Sequence, residues 1–256
     1  VGMDRDESAF EIARETLSKF LDKTKFVQSN FSQLDQALLE EGLDQADGYL
    51  FDLGVSSMQL DRGERGFSFR SDAPLDMRMD QSSGQTAAEV VQKMSEKNLS
   101  EIFREYGEVP FHKRIAKAIV RERGKKPIET TGDLAQLVEN ELGGRGRLHP
   151  ATLVFQGLRI FVNRELDSLE IGLKKALEHL APAGVIGVIS FHSLEDRIVK
   201  NVFRDAAAPI RNEYGKKVGD SPFELVVKKP QVPTREEVRV NVRSRSAKLR
   251  WIRKVG

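Results

Sequence analysis

The sequence has no cysteine, so disulfides and thiolate metal ligands are excluded, and a reducing compartment is compatible with it. It has no apolar run approaching the ~20 residues that a membrane helix needs, and its opening, Val1-Gly2-Met3-Asp4, does not read as a signal peptide. A soluble, cytoplasmic protein without a membrane partner is the expectation. Charge of one sign is also missing. Lys and Arg number 41 against 39 Asp and Glu, a formal net charge of +2, so only local clustering can speak to nucleic acid. What is present is ordinary globular composition, with 39% hydrophobic and 31% charged residues in a chain of 256. That length holds one large core, or one core with a small second domain.

The chain is organised around residues 49–61, Tyr-Leu-Phe-Asp-Leu-Gly-Val-Ser-Ser-Met-Gln-Leu-Asp. An apolar run ends in a carboxylate and a small-residue turn follows. A parallel strand delivers a polar group to the carboxyl edge of a doubly wound sheet in this way, and such folds bind ligands at that edge. Asp52 is therefore either a site residue or the cap of the turn after it. The following loop, residues 62–80, is too long and too rich in Arg, Asp and Phe for a simple connector. Upstream, Asp4 sits at a strand-to-helix junction where a carboxylate can hold ribose hydroxyls, with Asp6 as a candidate helix cap. A short strand at 25–28 leads to Phe31, which lies against a bound base or belongs to the core. Strand and helix alternate without a break up to Asp52, which indicates α/β with a parallel sheet.

After Asp80 the alternation stops. Apolar spacing over residues 86–142 is helical throughout, which marks a helical insertion over 83–147 between two parts, 1–82 and 148–256, of a sheet domain. Its most basic part runs from His112, Lys113 and Arg114 to Lys126, either a nucleic-acid surface or a solvated helix face. The α/β pattern returns with one long helix from His149 to about Leu177. An apolar strand at 185–190 follows, buried on both faces, then Phe191-His192-Ser193-Leu194-Glu195-Asp196, in which Ser193 and Asp196 have capping-box spacing. No nucleophile elbow surrounds Ser193, which argues against a hydrolase triad. Residues 223–228 and 247–253 are expected to close the chain as an antiparallel pair carrying a modest basic cluster.

Five blocks resemble one family. They are Asp-Leu-Gly-Val-Ser-Ser at 52–57, Glu-Arg-Gly-Phe-Ser-Phe at 64–69, Pro-Leu-Asp-Met-Arg-Met-Asp at 74–80, His-Pro-Ala-Thr at 149–152 and Ser-Phe-His-Ser-Leu-Glu-Asp-Arg-Ile-Val-Lys at 190–200. In order and content the chain is similar to the bacterial ribosomal RNA small subunit methyltransferase H family. The resemblance implies a Rossmann-like class I S-adenosylmethionine-dependent methyltransferase sheet with an inserted all-helical, substrate-recognition domain. It implies methylation of N4 of a cytosine in 16S rRNA, within an assembled small subunit, by a monomer or homodimer. It also implies cofactor contacts from Asp4 to the ribose, from Phe31 near the adenine, and from Asp52 and Gln59 near the methionine end. The family begins with a strand and a Gly-rich turn upstream of Asp4 that this sequence does not contain, so the chain is expected to be a fragment of a longer product.

The exocyclic amine of cytosine is a poor nucleophile, so an enzyme must hold it in line and accept its hydrogens. Asp52, or a backbone carbonyl at 53–55, is the first acceptor, and Asp76 and His192 stand in reserve. Phe67, Phe69 and Phe191 either stack on an extruded base or fill a loop core. Arg62, Arg65, Arg70 and Arg78 suit phosphates, as do Lys113 and Arg114, although Arg65 or Arg78 can instead pair with Glu64, Asp76 or Asp80. Two rival readings are a non-catalytic RNA-binding protein that keeps the fold, and an unrelated α/β oxidoreductase, which would need a Gly-rich phosphate turn after a strand.

Overall fold

The computed structural model describes residues 1–56, 59, 63–143 and 149–256. The chain forms two compact units, one of Val1–Gly54 with Leu166–Gly256 and the other of Val55–Glu165.

In the first unit, β1 (Gly2–Asp4) and β2 (Phe26–Gln28) pair in parallel, with Asp4 opposite Gln28. Between them α1 (Glu7–Thr16) is capped by Asp6, whose carboxylate accepts from Ser8 N. Phe10 is buried and packs its ring on Phe26. After α2 (Leu34–Glu40) comes β3 (Ala46–Asp52), which pairs in parallel with β4 (Leu180–Ser190). The alternation read from the sequence is thus present, but β1–β2 forms its own ladder and is not hydrogen-bonded into the larger sheet.

β4 is the centre of that sheet, and its core face is set by Ile186 and Val188, both fully buried. The opposite face is covered differently. Gly187 lies under Trp251, so close that a Cβ on Gly187 would stand 2.4 Å from the indole ring. Trp251 belongs to β8 (Lys248–Lys254), antiparallel to β4, and β7 (Phe223–Leu225) pairs beyond it, while β5 (Ile210–Arg211) and β6 (Lys217–Gly219) form a separate antiparallel ladder. The expected closing pair is therefore real over 223–225, and β8 also serves as the neighbour of β4. The core is completed by Leu34, Leu38 and Phe51, by Leu169 and Leu173 of α8 (Glu165–Glu178), and by Val199 and Phe203 of α9 (Ser193–Ala206).

The second unit is helical: α3 (Ala87–Lys93), α4 (Glu96–Glu105), α5 (His112–Arg123), α6 (Thr131–Leu142) and α7 (Ala151–Asn163). Local chemistry starts these helices where the sequence supplies caps. Thr86 and Glu89 form a reciprocal capping box, and Ser95 and Thr130 accept from Asn98 N and Asp133 N. The unit also takes in the long loop and α7, which the sequence placed with the sheet. The reason is burial: Leu75, Met77, Val154 and Leu158 are almost wholly enclosed in the same core as Phe103, Ile115 and Ile119.

The single helix expected from His149 to Leu177 is broken. Arg164 adopts a left-handed conformation (φ 50, ψ 41) and ends α7. Its neighbour Asn163 explains the corner. Asn163 is 2% exposed, donates from Nδ2 to Met77 O (2.7 Å) and Arg159 O (2.9 Å), and accepts from Met79 N at 2.8 Å. It holds Met77, buried at φ 63, in a conformation that a non-glycine side chain resists. Arg65 helps from the other side, donating through Nη2 to Arg78 O and Met79 O. The loop is a built structure tied to the end of α7.

Replacing Asn163 with Ala strands Met77 O and Met79 N in the interior, each at ~1–3 kcal/mol. The expected outcome is a loss of ~2–4 kcal/mol in urea unfolding. A variant as stable as the parent would show that the clamp is dispensable.

Candidate active site

The first unit gathers functional groups at the carboxyl ends of its parallel strands. Asp52 closes β3 opposite Ile189, and the ladder runs one residue further through Leu53 N to Ile189 O at 3.1 Å. Gly54 then turns the chain with φ +90, and a Cβ there would lie 3.7 Å from the Phe191 ring. Asp52 keeps an exposed face, yet desolvation of its other side is the main influence that pushes the carboxyl above its usual range, and the charge of Glu195 adds to it. None of the described residues donates a hydrogen bond to it.

The turn after β4 is fixed by Glu195, which is 2% exposed. Its carboxylate accepts from Phe191 N (2.8 Å) and His192 N (3.3 Å), while Glu195 N donates to His192 Nδ1 at 3.4 Å. The capping box of α9 is thus His192 with Glu195, where the spacing of Ser193 and Asp196 had suggested another pair. Nδ1 accepts at the cap, and Nε2 is buried 3.0 Å from Glu195 Oε1 without a hydrogen-bond partner among the described residues. Both ring nitrogens face the helix that His192 caps. Asp196 instead binds Arg250 (2.7 Å) and Lys248 (3.1 Å) of β8. Burial raises its pKa, but those hydrogen bonds outweigh it and hold the carboxyl below its ordinary range.

At the ends of β1 and β2 stand Asp4 and Phe31. Asp4 Oδ1 accepts from Asp6 N at 2.8 Å. Although part of its surface is open, desolvation outweighs that bond and raises its pKa. Phe31 meets Phe51 edge-on, with centroids 5.6 Å apart, and so joins the end of β2 to the residue beside Asp52. Its ring also rests on α8 at Gly172, where a Cβ would stand 2.8 Å away. Phe31 is therefore part of the core wall and a neighbour of the strand edge at once. The arrangement offers two carboxylates that are open to solvent yet partly desolvated, with the charge of Arg5 acting on Asp4, and it suits a ligand that brings hydroxyl and cationic groups.

The remaining candidates lie in the second unit. Gln59 Oε1 accepts from Ser56 N (3.0 Å), and Gln59 N donates to Ser56 Oγ (3.2 Å), a reciprocal local turn. Asp76 is bound by Arg78 through Nε (2.8 Å) and Nη2 (2.9 Å). Burial raises the Asp76 pKa, but the Arg78 contacts lower it by more. Arg65 is buried as the loop clamp and does not reach solvent as a phosphate contact, and Phe67 sinks into the helical core. Phe69 packs at a tilt on His149 and meets Phe155 edge-on. Arg114 pairs with Glu141, whereas Arg70 and Lys113 stay exposed. Arg62 lies outside the described residues.

Sequence reasoning missed Glu195, Gly172 and Asn163. Gly172 left a signal, because a glycine inside an amphipathic helix often marks a close approach. Glu195 left one too, three residues after the cap. Asn163 left none.

The sequence profile described as the MraW methylase family matches residues 1–255. Ribosomal RNA small subunit methyltransferase H of Geobacter sp. (strain M21) is 50% identical over 262 residues, covering 100% of this chain and 84% of that protein. The proteins of the same name from Persephonella marina and Brevibacillus brevis are 45% and 42% identical, covering 100% of this chain and 84% and 83% of theirs. Among the described residues no helix is long and apolar enough to cross a membrane, and no cluster of metal-ligating side chains occurs.

The raised pKa of Asp52 sets a stability test. A carboxyl that holds its proton longer when folded contributes stability at low pH, and loses it as pH rises through the folded pKa. Asp52→Asn removes that loss. The variant should melt at a higher temperature than the parent at pH 7, and the gain should vanish below the unfolded aspartate pKa of ~3.9. A lower melting point at pH 7 would mean that the charge is stabilised by the fold after all.

Proposed function

The chain belongs to the MraW methylase family, and from that premise we propose that it methylates N4 of a cytosine in 16S rRNA of the small ribosomal subunit, using S-adenosylmethionine. The observation that carries this reading is the presence of two partly desolvated carboxylates, Asp4 and Asp52, at the carboxyl ends of parallel strands, with Phe31 packed against Phe51 beside Asp52.

Asp4 would accept from ribose hydroxyls, Phe31 would flank the adenine, and Asp52 would face the methionine end. Bound there, S-adenosylmethionine supplies an electrophilic methyl on a sulfonium whose sulfur keeps the bonding pair when the methyl leaves. Asp52 accepts a hydrogen bond from the cytosine amine, which aims the nitrogen lone pair at the methyl carbon, and takes the proton that N4 sheds after transfer. Partial desolvation and the charge of Glu195 make the Asp52 carboxylate a stronger base than a free aspartate, which suits that role. Glu195 holds the Phe191–His192 turn beside it. His192 is occupied as a helix cap, so Asp52 is the favoured acceptor.

Two measurements test the reading. Nucleoside mass spectrometry of small-subunit rRNA, from cells with and without the gene, should show an N4-methylated cytidine disappear with the gene; an unchanged profile refutes the assignment. In single-turnover methyl transfer, Asp52→Asn should lower the rate by about 10²-fold, ~3 kcal/mol of transition-state stabilisation. Because the same variant is expected to gain stability at pH 7, lost turnover cannot be blamed on unfolding. A fully active Asn variant removes Asp52 from the mechanism.

A further inference from the structure

Much of the positive charge that the sequence suggested for α5 and the turn after it is paired on the surface with neighbouring carboxylates. Arg121 pairs with Glu141 and Glu122, Lys125 with Glu122 and Lys126 with Asp133. Arg123 donates to Val91 O and Met94 O. A different stretch, in the first unit, keeps its charge free. Between Lys228 and Arg245, the side chains of Lys228, Lys229, Arg235, Arg239 and Arg245 are exposed and have no ion-pair partner among the described residues.

The stretch is a strap closed at its base. Gln231 and Leu249 exchange both backbone hydrogen bonds at 2.9 Å, and Trp251 Nε1 donates to Gln231 Oε1 at 3.1 Å. From that base the strap leads through α10 (Arg235–Val240) and a short 3-10 turn into β8. No residue of α10 is buried, and a six-residue helix has little stability of its own. Arg235 and Arg239, four apart, lie on one face of it. Val232, Val240 and Val242 stand 65%, 82% and 67% exposed among the cations. The strap enters β8 at Lys248, which pairs with Ser190, and the preceding residue of β4, Ile189, pairs with Asp52. It therefore arrives at the strand edge that carries Asp52.

We propose that this strap, residues 228–247, is a surface that holds the phosphates of the substrate RNA at the rim of the methylation site. The inference rests on the rRNA reading above and adds to it the part of this chain that grips the RNA. Charge decides the occupant: unpaired guanidinium and ammonium groups beside open apolar surface complement a phosphate backbone with splayed bases, whereas an acidic partner helix would be expected to find more buried apolar contact.

The test is a charge reversal in the full chain, Arg235→Glu with Arg239→Glu and Arg245→Glu. Its comparison is Lys19→Glu with Lys23→Glu and Lys97→Glu, which changes net charge equally at exposed positions elsewhere. Binding to small-subunit rRNA is measured across a salt series, with circular dichroism melting to check the fold. Neutralising each single-strand phosphate contributes about 0.7 to the slope of log affinity against log salt. The strap variant should lose about 2 from that slope and bind about 10-fold or more weakly near 0.1 M salt, while the comparison keeps the parental slope. A strap variant whose slope and affinity match the comparison overturns the inference and leaves the methylation reading standing. A parental chain that neither binds nor methylates small-subunit rRNA overturns that reading, and the strap proposal with it.

Discussion

The candidate site depends on one buried carboxylate. Glu195 sits on the first turn of α9, where unpaired backbone N–H groups and the helix dipole favour negative charge. There it satisfies the N–H groups of Phe191 and His192, which would otherwise be orphaned as β4 turns into the helix. The same charge is felt across the sheet edge by Asp52. One residue thus does two things that cannot be separated by position: it shapes the turn and it makes the neighbouring aspartate harder to ionise. A fold that needed only a cap could have used a neutral Gln at this place. The carboxylate also raises the cost of ionising Asp52, so a cation at this edge would be favoured.

A comparable economy of parts governs the second unit. The loop that resembles a recognition segment in sequence is pinned at Met77 and Met79 by Asn163, at the end of α7. The corner at Arg164 and the loop are therefore one construction, since the amide that ends the helix is the amide that holds the loop. The bidentate pair between Arg159 and Glu165, at 2.9 Å on each arm, braces the same corner.

Much of this was legible in the residues. The switch from alternating strands to helical spacing after Asp80 and the strand-end position of Asp52 follow from periods of two and 3.6 residues, which are local properties. What was not legible depended on distant partners. Leu75 and Met77 are apolar in any reading, but spacing does not say which core receives them. The basic run of α5 looks like a binding face because its neutralising groups, Glu141 and Asp133, come from the next helix. The break at Arg164 carries neither Gly nor Pro, and its cause lies more than eighty residues away, in the loop that Asn163 grips. His192 as a cap was hidden because serine is the commoner residue in that role.

The contact between Gly187 and Trp251 has an optical consequence. Trp251 is the chain's single tryptophan, and its indole packs against Gly187 of β4 in the first unit. Intrinsic emission excited at the red edge of the band therefore reports the opening of that sheet and is blind to the second unit, whereas far-ultraviolet dichroism sums the helices of both units. The chain carries a built-in label on one half of itself, and the two spectroscopies followed together read the cooperativity between the halves without any added probe.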